Sequence, residues 1–273
     1  MPTTRQLFLM LACLLPAACA HDDPAARATV LLLGETHDNG EGHRVRVEAL
    51  RLRIDQGWRP AIAMEQFDRE QQPALDAAMR ECRDADCVVS RVVPAKSSWQ
   101  WLFYKPVISL ALEHGLPVLA ANLSRADAGK VISGGFDSVL AADVRTRYGL
   151  DGAVPAAVLK AQIVEVRTGH CDMLPVDMLE PMARAQIARD VVMAETIRPY
   201  MARGVVLIAG NGHVRRDIAV PYWLRAQGVP NWSIGYLEQR AATGQFDAQH
   251  AIPAIKRPDP CASLGNMKGK SAG

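Results

Sequence analysis

Apolar positions gather into five short, near-continuous runs at 29–33, 61–64, 117–121, 205–209 and 232–236. A strand with one wet face alternates in polarity. An unbroken run predicts a strand covered on both faces, as in a parallel sheet. Between the runs the spacing turns helical. "HRVRVEALRLRIDQG" closes at Gly57, "PALDAAMREC" opens on a proline, and "SSWQWLFYKPVISLALEHG" runs from capping serines to Gly115, with Pro106 set to kink or split it. Strands alternating with helices predict an α/β fold, a mainly parallel sheet flanked by helices.

The rhythm breaks over 123–203, where no strand pattern occurs and helix-like segments are separated by "SGG", "YGLDG" and "HCDMLP". The last of these segments, about 178–203, is long and rich in Ala and Met. An all-helical lobe inserted into a discontinuous α/β domain (20–122 and 204–245) accounts for the pattern. Residues 246–273 are polar and predict an irregular tail.

Strand C-termini of a parallel sheet share one edge, where ligands bind. The first run, in "TVLLLGETHDNGEGH", is followed by Glu35 and His37, and the second by Glu65 in "AIAMEQFDR". The third leads to Asn122 in "LPVLAANLSR", and the fourth to His213 and Arg216 in "GNGHVRRD". "GETH" and "GNGH" are one device, Gly-x-x-His, with glycines that allow a sharp turn or close backbone approach. His213 also opens a predicted helix, "VRRDIAVPYWLRAQG", whose free amides suit an anion. Two imidazoles and two carboxylates (His37, His213, Glu35, Glu65) are a plausible divalent site for Zn, Mn or Fe, or a general-base centre without metal. A single Glu or His after a strand is more often a cap. Glu35 paired with Arg216 and Glu65 capping the next helix are the structural alternatives, and His43, at a helix start, reads as structural. The methionines, Met182 and Met193 among them, read as core filler.

The N-terminus changes the context. "MPTTRQLFLMLACLLPAACA" has one arginine, an apolar stretch too short to span a membrane, and small residues around Cys19. This predicts a signal peptide over 1–19. "PAAC" resembles a lipobox, with Cys19 as the lipidated residue, and Ala20 after it resembles outer-membrane sorting. An Ala-x-Ala cut after Ala20 is the alternative. The predicted location is the outer membrane, facing the periplasm or the surface, held by a lipid anchor. Cys82, Cys87, Cys171 and Cys261 would then meet an oxidising compartment. Four cysteines allow three pairings. Cys82 and Cys87 flank the short "RDAD" and suit a loop-closing bond, which leaves Cys171 with Cys261. With 31 basic and 29 acidic residues the net charge is +2, and no basic stripe with interleaved aromatics supports nucleic-acid binding.

The motifs "LLLGETHDN", "AMEQFDR", "LPVLAANLSR", "HCDMLP", "MARAQIARDVVMAETI" and "GNGHVRRDIAVPYWL", in that order, resemble the ChaN-like family of haem-binding lipoproteins, in a superfamily with the Tiki proteins and erythromycin-esterase-like enzymes. The resemblance implies an exported haem-binding lipoprotein in haem or iron uptake, with Glu35, His37, Glu65 and His213 as pocket residues. The chain departs from the family at Gly42 and His43, where adjacent histidines are common. Ferric haem accepts a Tyr, His or Met axial ligand. Tyr148 is the first candidate because Arg145 and Arg147 beside it suit the propionates, and Tyr200 and His170 compete with it. A homodimer sharing haem is an open arrangement. The alternative function is a metal-dependent hydrolase, peptidase or esterase-like, built on the Glu/His crevice, although the chain has neither HExxH nor a Gly-x-Ser-x-Gly elbow.

Overall fold

The computed structural model describes residues 24–259 and 261–262. Cys19 and the predicted signal segment lie outside them. Six strands among these residues form one sheet: β1 (Val30–Leu33), β2 (Ala61–Asp68), β3 (Val118–Asn122), β4 (Val205–Ile208), β5 (Trp232–Leu237) and β6 (Ala248–Ala251). Their order is β3-β2-β4-β1-β5-β6, and every neighbouring pair is parallel. The fold class is therefore α/β, as the five apolar runs predict.

The continuous apolar runs have a simple cause. Val30, Leu32, Ala63, Leu119, Val205 and Leu207 face one side, whereas Leu31, Leu33, Ile62, Met64, Val206 and Ile208 face the other. Both sides are dry, so both phases of the two-residue repeat must be apolar. The second side is covered by α2 (Gly40–Asp55), α3 (Gln72–Glu81), α4 (Ala85–Val92) and α5 (Lys105–His114), with α1 (Pro24–Arg27) a single turn before β1. Pro106 splits its segment: a 3₁₀ turn, Trp101–Phe103, ends before α5, and the proline sits in the first turn of α5, where it costs no hydrogen bond.

The first side is covered by α6 (Arg125–Gly134), α7 (Ala142–Arg147), α8 (Ala156–Gly169), α9 (Val176–Ile197) and α10 (Val220–Ala226). Residues 123–203 are thus helical, with no strand between β3 and β4, and their helices pack onto this side of the sheet. Ile187, Val191, Ala194 and Ile197 of α9 share one apolar cluster with the sheet. The polar C-terminal region adds β6, parallel to β5, where an irregular tail was expected. Cys82 is bonded to Cys87 and Cys171 to Cys261. Among the described residues no helix is long and apolar enough to cross a membrane.

Candidate functional site

Strands β1 and β4 lie side by side, but the chain leaving β1 enters α2 on one face and the chain leaving β4 enters α10 on the other. Their carboxyl ends therefore part and open a crevice at the topological switch point. The two Gly-x-x-His segments line it. Their glycines serve close approach. A Cβ on Gly210 would lie 2.9 Å from His37 Cε1, and one on Gly34 would lie 2.2 Å from Asn211 Oδ1. Asn211 uses that space to tie the turn after β4 to β5, donating to the Tyr236 carbonyl at 2.7 Å and accepting from the Tyr236 amide at 3.1 Å.

Glu35 is buried on the β1 side and surrounded by donors. Its Oε1 accepts from Tyr104 Oη at 2.7 Å, His37 Nδ1 at 2.8 Å and Gln66 Nε2 at 3.2 Å. Its Oε2 receives the fully buried guanidinium of Arg46, from the interior of α2. Burial alone would raise this carboxyl. The Arg46 charge and then the His37 bond outweigh it and hold the pKa at about 2. Glu35 pairs with Arg46 and not with Arg216, which instead lies 3.1 Å from Asp247, away from the crevice. His43 belongs to the same group. Its Nδ1 accepts from Arg46 at 2.8 Å, so its Nε2–H donates to the His37 carbonyl at 3.0 Å. That pattern needs a neutral ring, and burial followed by the Arg46 charge lowers its pKa accordingly.

The β4 side repeats the arrangement. His213 donates through Nδ1 to Asp190 Oδ1 at 2.6 Å, and Gln162 Nε2 supports Asp190 Oδ2 at 3.2 Å. Asp190 comes from α9 and is fully buried, which pushes its carboxyl up to about 6. His213 Nε2 lies 3.6 Å from Glu65 Oε1, while Glu65 Oε2 accepts the Gly210 amide at 2.7 Å. Burial pulls the His213 pKa down, but the charges of Glu65 and Asp190 outweigh it, leaving the pKa raised. The His37 pKa is also raised: burial lowers it, and its bond to Glu35 and the charge of Glu65 prevail. Each histidine therefore has a carboxylate on Nδ1 and the charge of Glu65 nearby. Such a group can hold a proton, order a water or act as a general base.

His213 does not open an α-helix. It lies in a 3₁₀ turn, Asn211–Val214, and α10 starts only at Val220, so the expected anion site on free helix amides is not formed there. The metal-centre expectation also finds no support. Among the described residues no three His, Cys, Asp or Glu side chains are grouped to hold a cation. Glu35 is committed to Arg46, and Asp190 to His213. Asn122 sits apart, donating to Asp68 at 2.9 Å and accepting from Arg189 at 3.2 Å.

The residues proposed for haem have varied surroundings. Tyr148 is a core side chain, and its hydroxyl donates to Glu195 at 2.9 Å. Arg147 holds the same Glu195 at 2.6 Å, and Arg145 binds Asp151 and the Leu140 carbonyl. All three are thus engaged within the fold. Tyr200 lies in the turn before β4, at the amino edge of the sheet, opposite the crevice. His170 ends α8 and lines a cavity of about 180 Å³ together with His213 and Gln186. Its Nδ1 donates to the Val166 carbonyl at 2.7 Å, which leaves Nε2 as the acceptor nitrogen. A larger cavity, about 510 Å³, lies on the other side of Gln186 beside the ends of β2 and β3.

A family model described as haem-binding uptake, Tiki superfamily, ChaN, matches residues 23–224. The chain belongs to this family. Its ChaN membership agrees with the fold: the structure of Campylobacter jejuni ChaN, described for cofacial haem binding, aligns with TM-score 0.67 and 21% identity over 81% of this chain and 86% of that one. Two further solved structures align less closely. The type III effector HopBA1 gives TM-score 0.45 and 10% identity over 84% of this chain and 90% of its own. An erythromycin esterase EreC variant in its open conformation gives 0.47 and 14% over 78% and 71%. No curated protein matches the chain. In this ChaN-family chain, sequence reasoning placed Glu35, His37, Glu65 and His213 together but missed Arg46, Tyr104, Gln66 and Asp190. Gln66 and Asp190 fall within quoted motifs, but nothing in those motifs marks them as partners of Glu35 and His213, and Arg46, Tyr104 and Asp190 lie in or next to helices away from the strand ends they serve.

Proposed function

We propose that this ChaN-family protein binds haem and acts in haem or iron uptake as an exported, lipid-anchored protein facing the periplasm or the cell surface. The observation that carries the reading is the family match, which spans most of the described chain. Two disulfides support an oxidising compartment. The two cavities that meet at Gln186 supply volume in the range of small-molecule sites. His170 is the best placed of the three axial candidates, because it borders a cavity and its Nδ1 bond fixes the tautomer a metal ligand needs. Iron would be supplied with the haem, and the chain would contribute one nitrogen ligand and the walls.

The test is a hemin titration of residues 20–273 with Cys19 omitted, followed by absorbance, with metal content measured on the same sample. A saturable Soret shift is expected, reduced at least tenfold in affinity by His170→Ala and unchanged by Tyr148→Phe. A protein with no Soret shift but stoichiometric Zn, Mn or Fe overturns the reading. Loss with Tyr148→Phe instead of His170→Ala reassigns the ligand.

A further inference from the structure

The disulfide between Cys171 and Cys261 ends in a strained turn. Among the described residues, the two non-glycine residues of positive φ are neighbours, Cys171 at 57° and Asp172 at 56°. A helix that closes in the left-handed region ordinarily places glycine there, because a Cβ crowds the following carbonyl. Here two residues with side chains complete the end of α8. The Cys171 amide donates to the Thr168 carbonyl at 3.0 Å and the Asp172 amide to the Arg167 carbonyl at 2.9 Å. His170, the residue before them, lines the smaller cavity with His213. The place of its imidazole therefore depends on a turn that the disulfide restrains.

The other end of the bond belongs to a segment with little else to hold it. Ile252 is a core residue, but residues 253–259 are exposed and their contacts are polar. Arg257 makes two bonds of 2.9 Å to Asp38 and two of 2.7 Å to Glu238, and the Pro253 carbonyl accepts from Asn39 at 2.8 Å. Asp38 and Asn39 follow His37, and Cys261 lies four residues beyond Arg257, a reach of at most about 14 Å. One short segment thus links the first Gly-x-x-His loop to the turn beside His170. Both cysteines are partly exposed, whereas Cys82 of the other bond is buried where α3 gives way to α4.

We propose that the Cys171–Cys261 bond is a redox switch for the smaller cavity. Oxidised, it holds His170 on the cavity wall and ties the C-terminal segment to the loop after His37. A dithiol reductant opens it. One thiolate attacks a cysteine sulfur, forming a mixed disulfide and releasing the other cysteine, and the reductant's second thiolate then displaces the first. Two electrons pass to the cysteines, which take up two protons as thiols, and the reductant becomes a disulfide. Cys171 then leaves the left-handed region, the last turn of α8 frays, and His170 loses its Nδ1 bond to the Val166 carbonyl. On the haem reading the group withdrawn is the axial nitrogen, but the switch does not depend on that reading.

NMR on residues 20–273, with Cys19 omitted, tests the switch. In Cys171→Ser/Cys261→Ser, order parameters at 171–173 should fall from about 0.85 to below about 0.6, and the His170 imidazole resonances should shift, while β1 and β4 stay rigid. Wild type reduced with dithiothreitol should match this variant at the turn and return on reoxidation. Cys171→Gly/Cys261→Ser also lacks the bond but accepts the left-handed geometry, so its turn should stay near 0.85. Arg257→Gln keeps the bond and should loosen residues 253–259 while His170 stays in place. A rigid turn with an unshifted His170 in the serine variant overturns the switch. So does a glycine variant as mobile as the serine one, or a turn that loosens in Arg257→Gln. Hemin binding is measured on the same samples. Its absence from all of them removes the haem reading, and order at the turn still decides the switch.

Discussion

Arg46 carries more of the crevice than either histidine. It is a full charge with no exposed surface, and its balance is Glu35, with His43 beside it as a neutral acceptor. Removing one member of a buried pair leaves the other charged and unsolvated, which costs about 3–5 kcal/mol. Arg46→Met should therefore lower stability by that much in urea denaturation, and Glu35→Gln added to it should recover part of the loss. The pair also sets the acid limit of the fold. Because the Glu35 pKa falls from 4.5 to about 2 on folding, its contribution is complete above pH 4.5 and is lost as the pH drops toward 2. Urea midpoints measured between pH 6 and 3 should decline in the wild type, and the Glu35→Gln/Arg46→Met double variant should lack the component due to Glu35.

At the scale of elements, the crevice depends on two segments passing each other without side chains between them. Gly210→Ala puts a methyl onto the His37 ring and near Glu65 Oε2. Overpacking of this kind costs about 1–3 kcal/mol. The variant should melt lower and shift the His37 imidazole resonances, while those of His170, in the neighbouring cavity, stay in place. The same scale shows which parts of the structure the sequence displays. Four strands, β1 to β4, are legible because both their faces are dry, so Val30 to Leu33 or Val205 to Ile208 read as unbroken apolar runs, and β5 keeps such a run although Trp232 and Ile234 are only partly buried. β6 is not legible: Ala-Gln-His-Ala is largely exposed, and its place comes from backbone pairing with β5. The helices of 123–203 show in their spacing, but their packing onto the sheet depends on long-range contacts that no local pattern encodes. Glu35 and Glu65 could be found because each sits at or near the end of an apolar run. Tyr104 could not, since it reaches Glu35 from 69 residues away and looks like one more aromatic in "WQWLFY".

At the scale of the whole molecule, the site is shared between the two helical layers. The layer holding α2 and α5 brings Arg46 and Tyr104 to the β1 side. The layer holding α8 and α9 brings Asp190, His170 and the smaller cavity to the β4 side, while α6 and α9 wall the larger cavity beside the ends of β2 and β3. The bond between Cys171 and Cys261 fastens the C-terminal segment to the turn just after His170, closing a separation of 90 residues. In the chain-entropy account a loop of that size is worth about 4–5 kcal/mol against the unfolded state. The loop includes all of α9, β4, α10, β5 and β6. A protease that cut once in the exposed stretch around Arg240 and Thr243 would leave every residue covalently attached. The nicked protein should run as one band without reductant and as two with it, keeping its parallel sheet until the thiols are freed. The same bond that steadies a turn beside a cavity thus lets the molecule survive a break in its own backbone.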